Sequence, residues 1–310
     1  MAAPSTYTPA PLADFVLPFS MAHLGVRGRV VRLESVSARA LSAHELPEAP
    51  ARTLGEALVL TTMLGSSLKL DGRLTLQTKG SGPLNLLTVD YYGAEEARDA
   101  GVRGFARVDE EQLASLGAEH ARQFAKLAGE GVLAITIEPR MGDKSYQGIV
   151  SLSRESIAAS AEAYFAQSEQ LPTIIRLAAA PAYVPGSKQP AWRAGGIMLQ
   201  AIPQANRDAD DWERLSMFIK SVEDIELLDT GVAAEDLLWR LFHEDEVRVH
   251  TPETLVFHCG CDGDRIARIL GVYSDAEREG LADPDGIIRA RCEFCGTVHP
   301  IGIAELRAHQ

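Results

Sequence analysis

The sequence predicts an α+β fold: an N-terminal sheet domain around a buried helix, then a helical linker, then a small C-terminal module carrying cysteines. Three observations predict it. Short stretches of period-two alternation cluster around few helical ones instead of alternating with them along the chain. Segment 54–70 is apolar on most sides of a helix. All four cysteines of the 310-residue chain fall late, as Cys259-Gly260-Cys261 and Cys292-Glu293-Phe294-Cys295.

Composition bounds the possibilities. A hydrophobic fraction of 46% supplies a core for one large domain and a smaller one. A formal net charge of −13, from 43 acidic and 30 basic residues, argues against a nucleic-acid partner, because phosphate binding needs concentrated Lys and Arg. No stretch approaches membrane-spanning length, so no membrane partner is expected. The first fifteen residues carry neither a Lys nor an Arg nor a continuous apolar run, so no export signal is expected and a cytoplasmic location is. In a reducing compartment, close cysteine pairs are more often metal ligands or redox groups than structural disulfides.

Taken in order, residues 1–12 hold three prolines and no apolar periodicity, which predicts a disordered tail. The N-terminal domain is expected over 13–203, with its first strand at 29–33. In the helix predicted over 54–70, Leu54, Ala57, Leu58, Leu60, Met63, Leu64 and Leu68 spread around the axis. Leu74 and Leu76, the glycine turn Lys79-Gly80-Ser81-Gly82, and Leu84 and Leu86 predict a hairpin. Strands are expected at 104–108, 132–137 and 146–152, a helix over 154–166, and two late strands at 173–177 and 196–202. Residues 204–250 form the expected linker, where Trp212, Leu215, Ile219 and Val222 recur at helical spacing beside Phe218, and a second helix covers 234–242. The remaining module, 251–310, contains too little core to stand without a staple.

Metal is the obvious staple. Two close pairs joined by one long excursion are how a four-thiolate site is assembled, and Cys259, Cys261, Cys292 and Cys295 are the expected ligands of one zinc ion. The spacing is not that of a ferredoxin cluster. His258 and His299 flank the cysteines, but four thiolates already fill a tetrahedral shell. In an extended Cys-x-Cys both sulfurs point to one side, yet a disulfide between them closes a strained ring, and strained disulfides are the labile, regulatory kind. The residues alone leave a permanently closed structural site and a redox switch both open.

Other chemistry is weak, and no enzyme activity is expected. Ser66-Ser67-Leu68-Lys69 matches the Ser-x-x-Lys pattern without its companion motifs. Gly80-Ser81-Gly82-Pro83 lacks the Lys-Ser/Thr of a phosphate loop, so no nucleotide is expected. His243 and His250 have no nucleophile motif nearby.

Several stretches together carry a resemblance to a known family. They are Leu54-Gly55-Glu56-Ala57-Leu58, Ser67-Leu68-Lys69-Leu70-Asp71-Gly72, 77–83, Tyr146-Gln147-Gly148-Ile149-Val150, 164–173, 195–203 and Leu238-Trp239-Arg240-Leu241-Phe242-His243-Glu244. With the cysteine pairs, they make the chain over 15–303 similar to the redox-regulated heat-shock chaperone family of bacteria. The resemblance implies an ATP-independent holdase, inactive while zinc is bound. Oxidative stress would release zinc and form the disulfides Cys259–Cys261 and Cys292–Cys295; the linker would then unfold and expose apolar surface to unfolding client proteins, typically with formation of a homodimer. The rivals are a static zinc-stapled interaction module and a thiol-disulfide oxidoreductase using Cys292 and Cys295, although no strand-then-helix context surrounds Cys295.

Overall fold

A computed structural model describes residues 13–68, 70–141, 144–183, 190–203 and 208–307. The tail expected over 1–12, Lys69 of the Ser-x-x-Lys match and residues 204–207 at the start of the linker lie outside the described residues.

The chain begins with β1 (Phe15–Met21) and β2 (Val26–Leu33), followed by α1 (Ser35–Ser42) and α2 (Glu48–Ser67). Asp14 accepts the backbone N–H groups of Glu34 and Val36 at 2.8 and 2.9 Å, which seats the start of α1. α2 is the expected buried helix, but it starts earlier and ends sooner than predicted. The Ser66 and Ser67 hydroxyls donate back to the carbonyls of Met63 and Leu64 at 3.2 and 2.7 Å, and Leu68 beyond them is 48% exposed. Hydroxyls that bond the preceding turn compete with helix continuation.

β3 (Gly72–Gly80) and β4 (Leu84–Tyr92) form the expected hairpin, and β5 (Ala100–Val108) pairs antiparallel with β4. Three short helices that the periodicity does not announce follow, α3 (Glu110–Leu116), α4 (Ala118–Ala121) and α5 (Phe124–Leu127). Then come β6 (Gly131–Pro139), β7 (Tyr146–Ser151), α6 (Ile157–Tyr164), β8 (Thr173–Ala182) and β9 (Ala191–Ala201). Ser156 caps α6 by accepting the Ala159 N–H at 3.0 Å, which sets its start three residues after the predicted one.

The next stretch folds as α7 (Ala209–Ser221), α8 (Asp224–Leu228) and α9 (Ala234–Phe242). After the two-residue β10 (Arg248–Val249), β11 (Glu253–Phe257) leads into α10 (Gly263–Leu270), α11 (Asp275–Leu281), the hairpin β12 (Ile287–Arg291) and β13 (Val298–Gly302), and α12 (Ile303–Arg307).

Eleven strands join in one sheet, ordered β7-β6-β3-β4-β5-β11-β1-β2-β9-β8, with β10 paired to β1. β11 is its keystone. It runs parallel to β5 and antiparallel to the start of β1, so the segment just before Cys259 stitches the two halves of the sheet together.

Each half of this sheet is pleated, and its side chains sort by period two. Val16, Val31, Ile175, Ala179 and Met198 join the cluster centred on α2, which includes Leu54, Leu58, Leu60 and Met63. Their neighbours Phe15, Leu17, Phe19, Val30, Ile174, Ala178, Ile197 and Leu199 join a second cluster with Leu215, Ile219, Leu227, Leu237 and Phe242 of α7, α8 and α9. The helix stripe expected in the linker is thus the cover of one sheet face. Among the described residues, the C-terminal module buries the small cluster Leu270, Ile288, Ile301 and Leu306, with Ile266, Ala267, Ala282 and Ile303 packed against it. Among the described residues no helix is long and apolar enough to cross a membrane.

Candidate metal centre

The four cysteines come from two places in the fold. Cys259 and Cys261 lie between the end of β11 and the start of α10, whose Asp262 cap accepts the Asp264 N–H at 3.1 Å. Cys292 and Cys295 lie in the turn joining β12 to β13. There the Gly296 N–H donates to the Cys292 carbonyl and the Cys292 N–H to the Thr297 carbonyl, both at 2.9 Å. Gly296 takes φ +70°, the left-handed conformation that glycine adopts without a side-chain clash. Close backbone approach holds the first pair in place too: a Cβ at Gly101 on β5 would sit 2.4 Å from the His258 Cβ.

The structure brings all four sulfurs within 4.8 Å of one another. Cys259 Sγ lies 3.7 Å from Cys292 Sγ, and Cys261 Sγ lies 3.4 Å from Cys295 Sγ. Sulfurs bound at about 2.3 Å to one tetrahedral ion stand about 3.8 Å apart, so the donor set fits a soft four-coordinate metal. Both of these approaches run between the two sequence pairs, so the pairs interleave around one centre.

Electrostatics distinguish the sulfurs. Burial pushes the Cys261 thiol up, and the hydrogen bonds it shares with Cys295 and Cys259 add to the effect; burial also raises Cys292. Burial acts upward on Cys295 as well, but Thr297, whose Oγ1 lies 3.2 Å from the sulfur, and then Cys261 and Cys259, bring it down to about 6.

The flanking histidines take supporting places. His299 Nε2 lies 3.4 Å from Cys261 Sγ, and His258 packs edge-on against Tyr92 with ring centroids 5.0 Å apart. His243 lies against Trp239, and His250 Nε2 lies 3.1 Å from the Ser20 hydroxyl.

Sequence reasoning missed the residues that seat this centre on the sheet. Arg103 of β5 donates Nη1 to Cys259 Sγ at 3.7 Å and sits over the Phe294 ring, 3.9 Å from its centroid. Phe105 meets the same ring edge-on at 4.9 Å. Arg291 donates to the Ala43 carbonyl at 2.9 Å, and Arg107 pairs with Glu293 at 3.0 Å.

Comparison with known proteins decides the family. The model of the Hsp33 protein family matches residues 14–301. The chain belongs to the Hsp33 family. This is a family of chaperones and not of enzymes. Among its members, the 33 kDa chaperonin of Caulobacter vibrioides is 39% identical over 94% of this chain and 95% of that protein. The 33 kDa chaperonin of Escherichia coli O17:K52:H18 is 35% identical over 96% of each. The crystal structure of the 33 kDa chaperonin from Thermotoga maritima superposes with a TM-score of 0.77 at 23% identity, covering 95% of this chain and 97% of that one, which shows the same fold.

Proposed function

We propose that this Hsp33 protein is a redox-regulated, ATP-independent holdase. One observation carries the reading: four sulfurs within 4.8 Å of one another directly follow β11, the strand that ties the two halves of the sheet together. Cys259, Cys261, Cys292 and Cys295 would hold one zinc ion. Bound zinc would supply on the order of 10 kcal/mol of folding free energy to a module with a small apolar core.

Oxidation removes the ligands. In each of the pairs Cys259–Cys261 and Cys292–Cys295, two thiolates surrender two electrons to a peroxide, which takes up two protons and leaves as water; one S–S bond forms and one O–O bond breaks. This pairing follows the family resemblance, and it needs only partners two and three residues apart in sequence, which stay within reach after the module unfolds. Without its staple, the module 251–310 releases the linker 204–250. Departure of α7, α8 and α9 then uncovers Leu17, Phe19, Met21, Val30, Ile197 and Leu199, all buried beneath them, as a surface for unfolding client proteins. The oxidised form would assemble as a homodimer, and the protein would work in the cytoplasm.

The test is to treat zinc-loaded, reduced protein with hydrogen peroxide at mildly elevated temperature. Zinc transfer to a chromogenic chelator and suppression of aggregation of a thermally unfolding enzyme are then followed together. The reading predicts that both rise in step. Unchanged zinc content and unchanged suppression would instead mark a static stapled module. Catalysed disulfide exchange that disappears in Cys295→Ser would mark an oxidoreductase.

A further inference from the structure

We infer that Arg103 is the positioning residue of the metal centre, locking the cysteine module to the sheet only while its sulfurs are anionic. The inference rests on the zinc-thiolate reading above. Its physical basis is the way one side chain is held from both sides.

From the sheet side, Arg103 stands opposite Asp90 in the β4–β5 ladder. Its Nε and Nη2 donate to the same carboxylate oxygen of Asp90 at 2.9 and 2.8 Å, while the Thr75 hydroxyl donates to the other oxygen at 2.7 Å. The two charged side chains are 11% and 4% exposed. Burial alone would disfavour the guanidinium charge, but Tyr92, Asp90 and Cys259 more than offset it. From the module side, the remaining nitrogen reaches Cys259 and the plane lies over Phe294, which belongs to the turn bearing Cys292 and Cys295. Arg103 therefore touches Cys259 of one pair and, through Phe294, the turn that carries the other.

Charge gives this contact its direction. Four thiolates around a divalent ion leave a net charge of about −2, and a buried cation against them favours that state. Two disulfides are neutral. Oxidation thus deprives the Arg103 fork of its sulfur acceptor while Asp90 keeps hold of it, and the module loses its charged anchor on the sheet. The neighbouring pair Arg107–Glu293 joins the same strand to the same turn, but both side chains are 57% exposed, so it contributes little and serves as an internal control.

The experiment compares zinc transfer to a chelator from full-length, reduced, zinc-loaded protein, together with the rate at which peroxide oxidises the thiols, in wild type, Arg103→Gln, Arg103→Lys and Arg107→Gln. Arg103→Gln is expected to lose zinc about tenfold faster or more, the scale on which groups supporting metal ligands act. Arg103→Lys, which keeps the charge and loses the fork, falls between it and wild type. Arg107→Gln stays within about twofold of wild type. If Arg103→Gln does not fold, Phe294→Leu, which removes the stacking surface from the module side, takes its place with an expected acceleration of several-fold. A wild-type rate in the deciding variant, or an equal effect in Arg107→Gln, overturns the inference while leaving the zinc switch intact. A wild-type protein that holds no zinc when reduced refutes both.

Discussion

In the half of the large sheet formed by β1, β2, β8 and β9, the two faces are made by the same strands and covered very differently. On one face lies α2, twenty residues long, with Leu54, Leu58, Leu60 and Met63 fully buried. On the other lie three pieces of 13, 5 and 9 residues, of which α7 buries only Leu215 and Ile219. Met217, Ile225 and Trp239 on these pieces are 59%, 64% and 67% exposed. Isolated helices shorter than about 12–15 residues are marginal in water, so the second cover depends on what pins it.

The pins are arginines of the sheet reaching the linker backbone. Arg32, almost wholly buried, donates to the carbonyls of Val232 and Glu226. Arg176 donates to the Val222 carbonyl at 3.1 Å and pairs with Asp224 at 2.5 Å. Within the cover, Arg214 holds Asp245 at 2.8 Å. The comparison teaches that one sheet can carry a continuous, fully buried helix on one side and three short, partly exposed helices on the other, and the proposed function makes the second the removable cover.

Four results would sharpen or break that contrast. The largest effect belongs to the staple: Cys295→Ser should abolish stoichiometric zinc binding, removing on the order of 10 kcal/mol from the module while β3 and β4 stay protected in hydrogen exchange. Zinc retained at one ion per chain would sever the module from its ligands. Next, Leu58→Ala under the permanent cover should lower global unfolding stability by about 2–5 kcal/mol in denaturant titration. A transition confined to the linker helices would contradict the assignment of α2 to the core. Leu237→Ala under the other cover should cost less in global unfolding than Leu58→Ala, because the lid yields locally, and it should raise client binding by the reduced protein. Equal loss of protection in α2 and α9 would show the two faces to be one unit.

The smallest effect is a pH dependence at the seam of α2 and α8. Burial pushes the Glu56 carboxyl up to about 7, and Arg52, Asp224 and Arg176 lie around it. A carboxyl raised in the folded state favours its neutral form there, so stability at this seam is greatest below about pH 4.5 and falls as pH rises through 7. Midpoints of chemical unfolding between pH 5.5 and 8 should decline less in Glu56→Gln than in wild type. Parallel decline in both would remove Glu56 from the seam.

Much of this arrangement was legible in the sequence, and the unread parts share a cause. The buried helix announced itself because Leu54, Leu58 and Met63 recur around its whole circumference, and the cysteine cluster because two close pairs admit few other uses. β1 did not read as a strand because Pro18 interrupts it; in the fold Pro18 sits opposite Arg29, and its carbonyl accepts the His250 N–H at 2.9 Å. β11 was hidden because parallel pairing with β5 leaves no local trace. Arg103 was hidden for the same reason: its sulfur partner lies 156 residues away, and nothing in Val102-Arg103-Gly104 marks it. Local periodicity reports which residues are apolar on a side, while pairings across the chain belong to topology.

The most direct test of the account is hydrogen exchange read separately in α2 and in α7 and α9, before and after peroxide with mild heat. The account predicts that exchange in α7 and α9 accelerates once zinc has been lost, while α2 and the strands beneath it keep their protection. Protection of α7 and α9 that survives complete loss of zinc, or that falls together with α2, would contradict it.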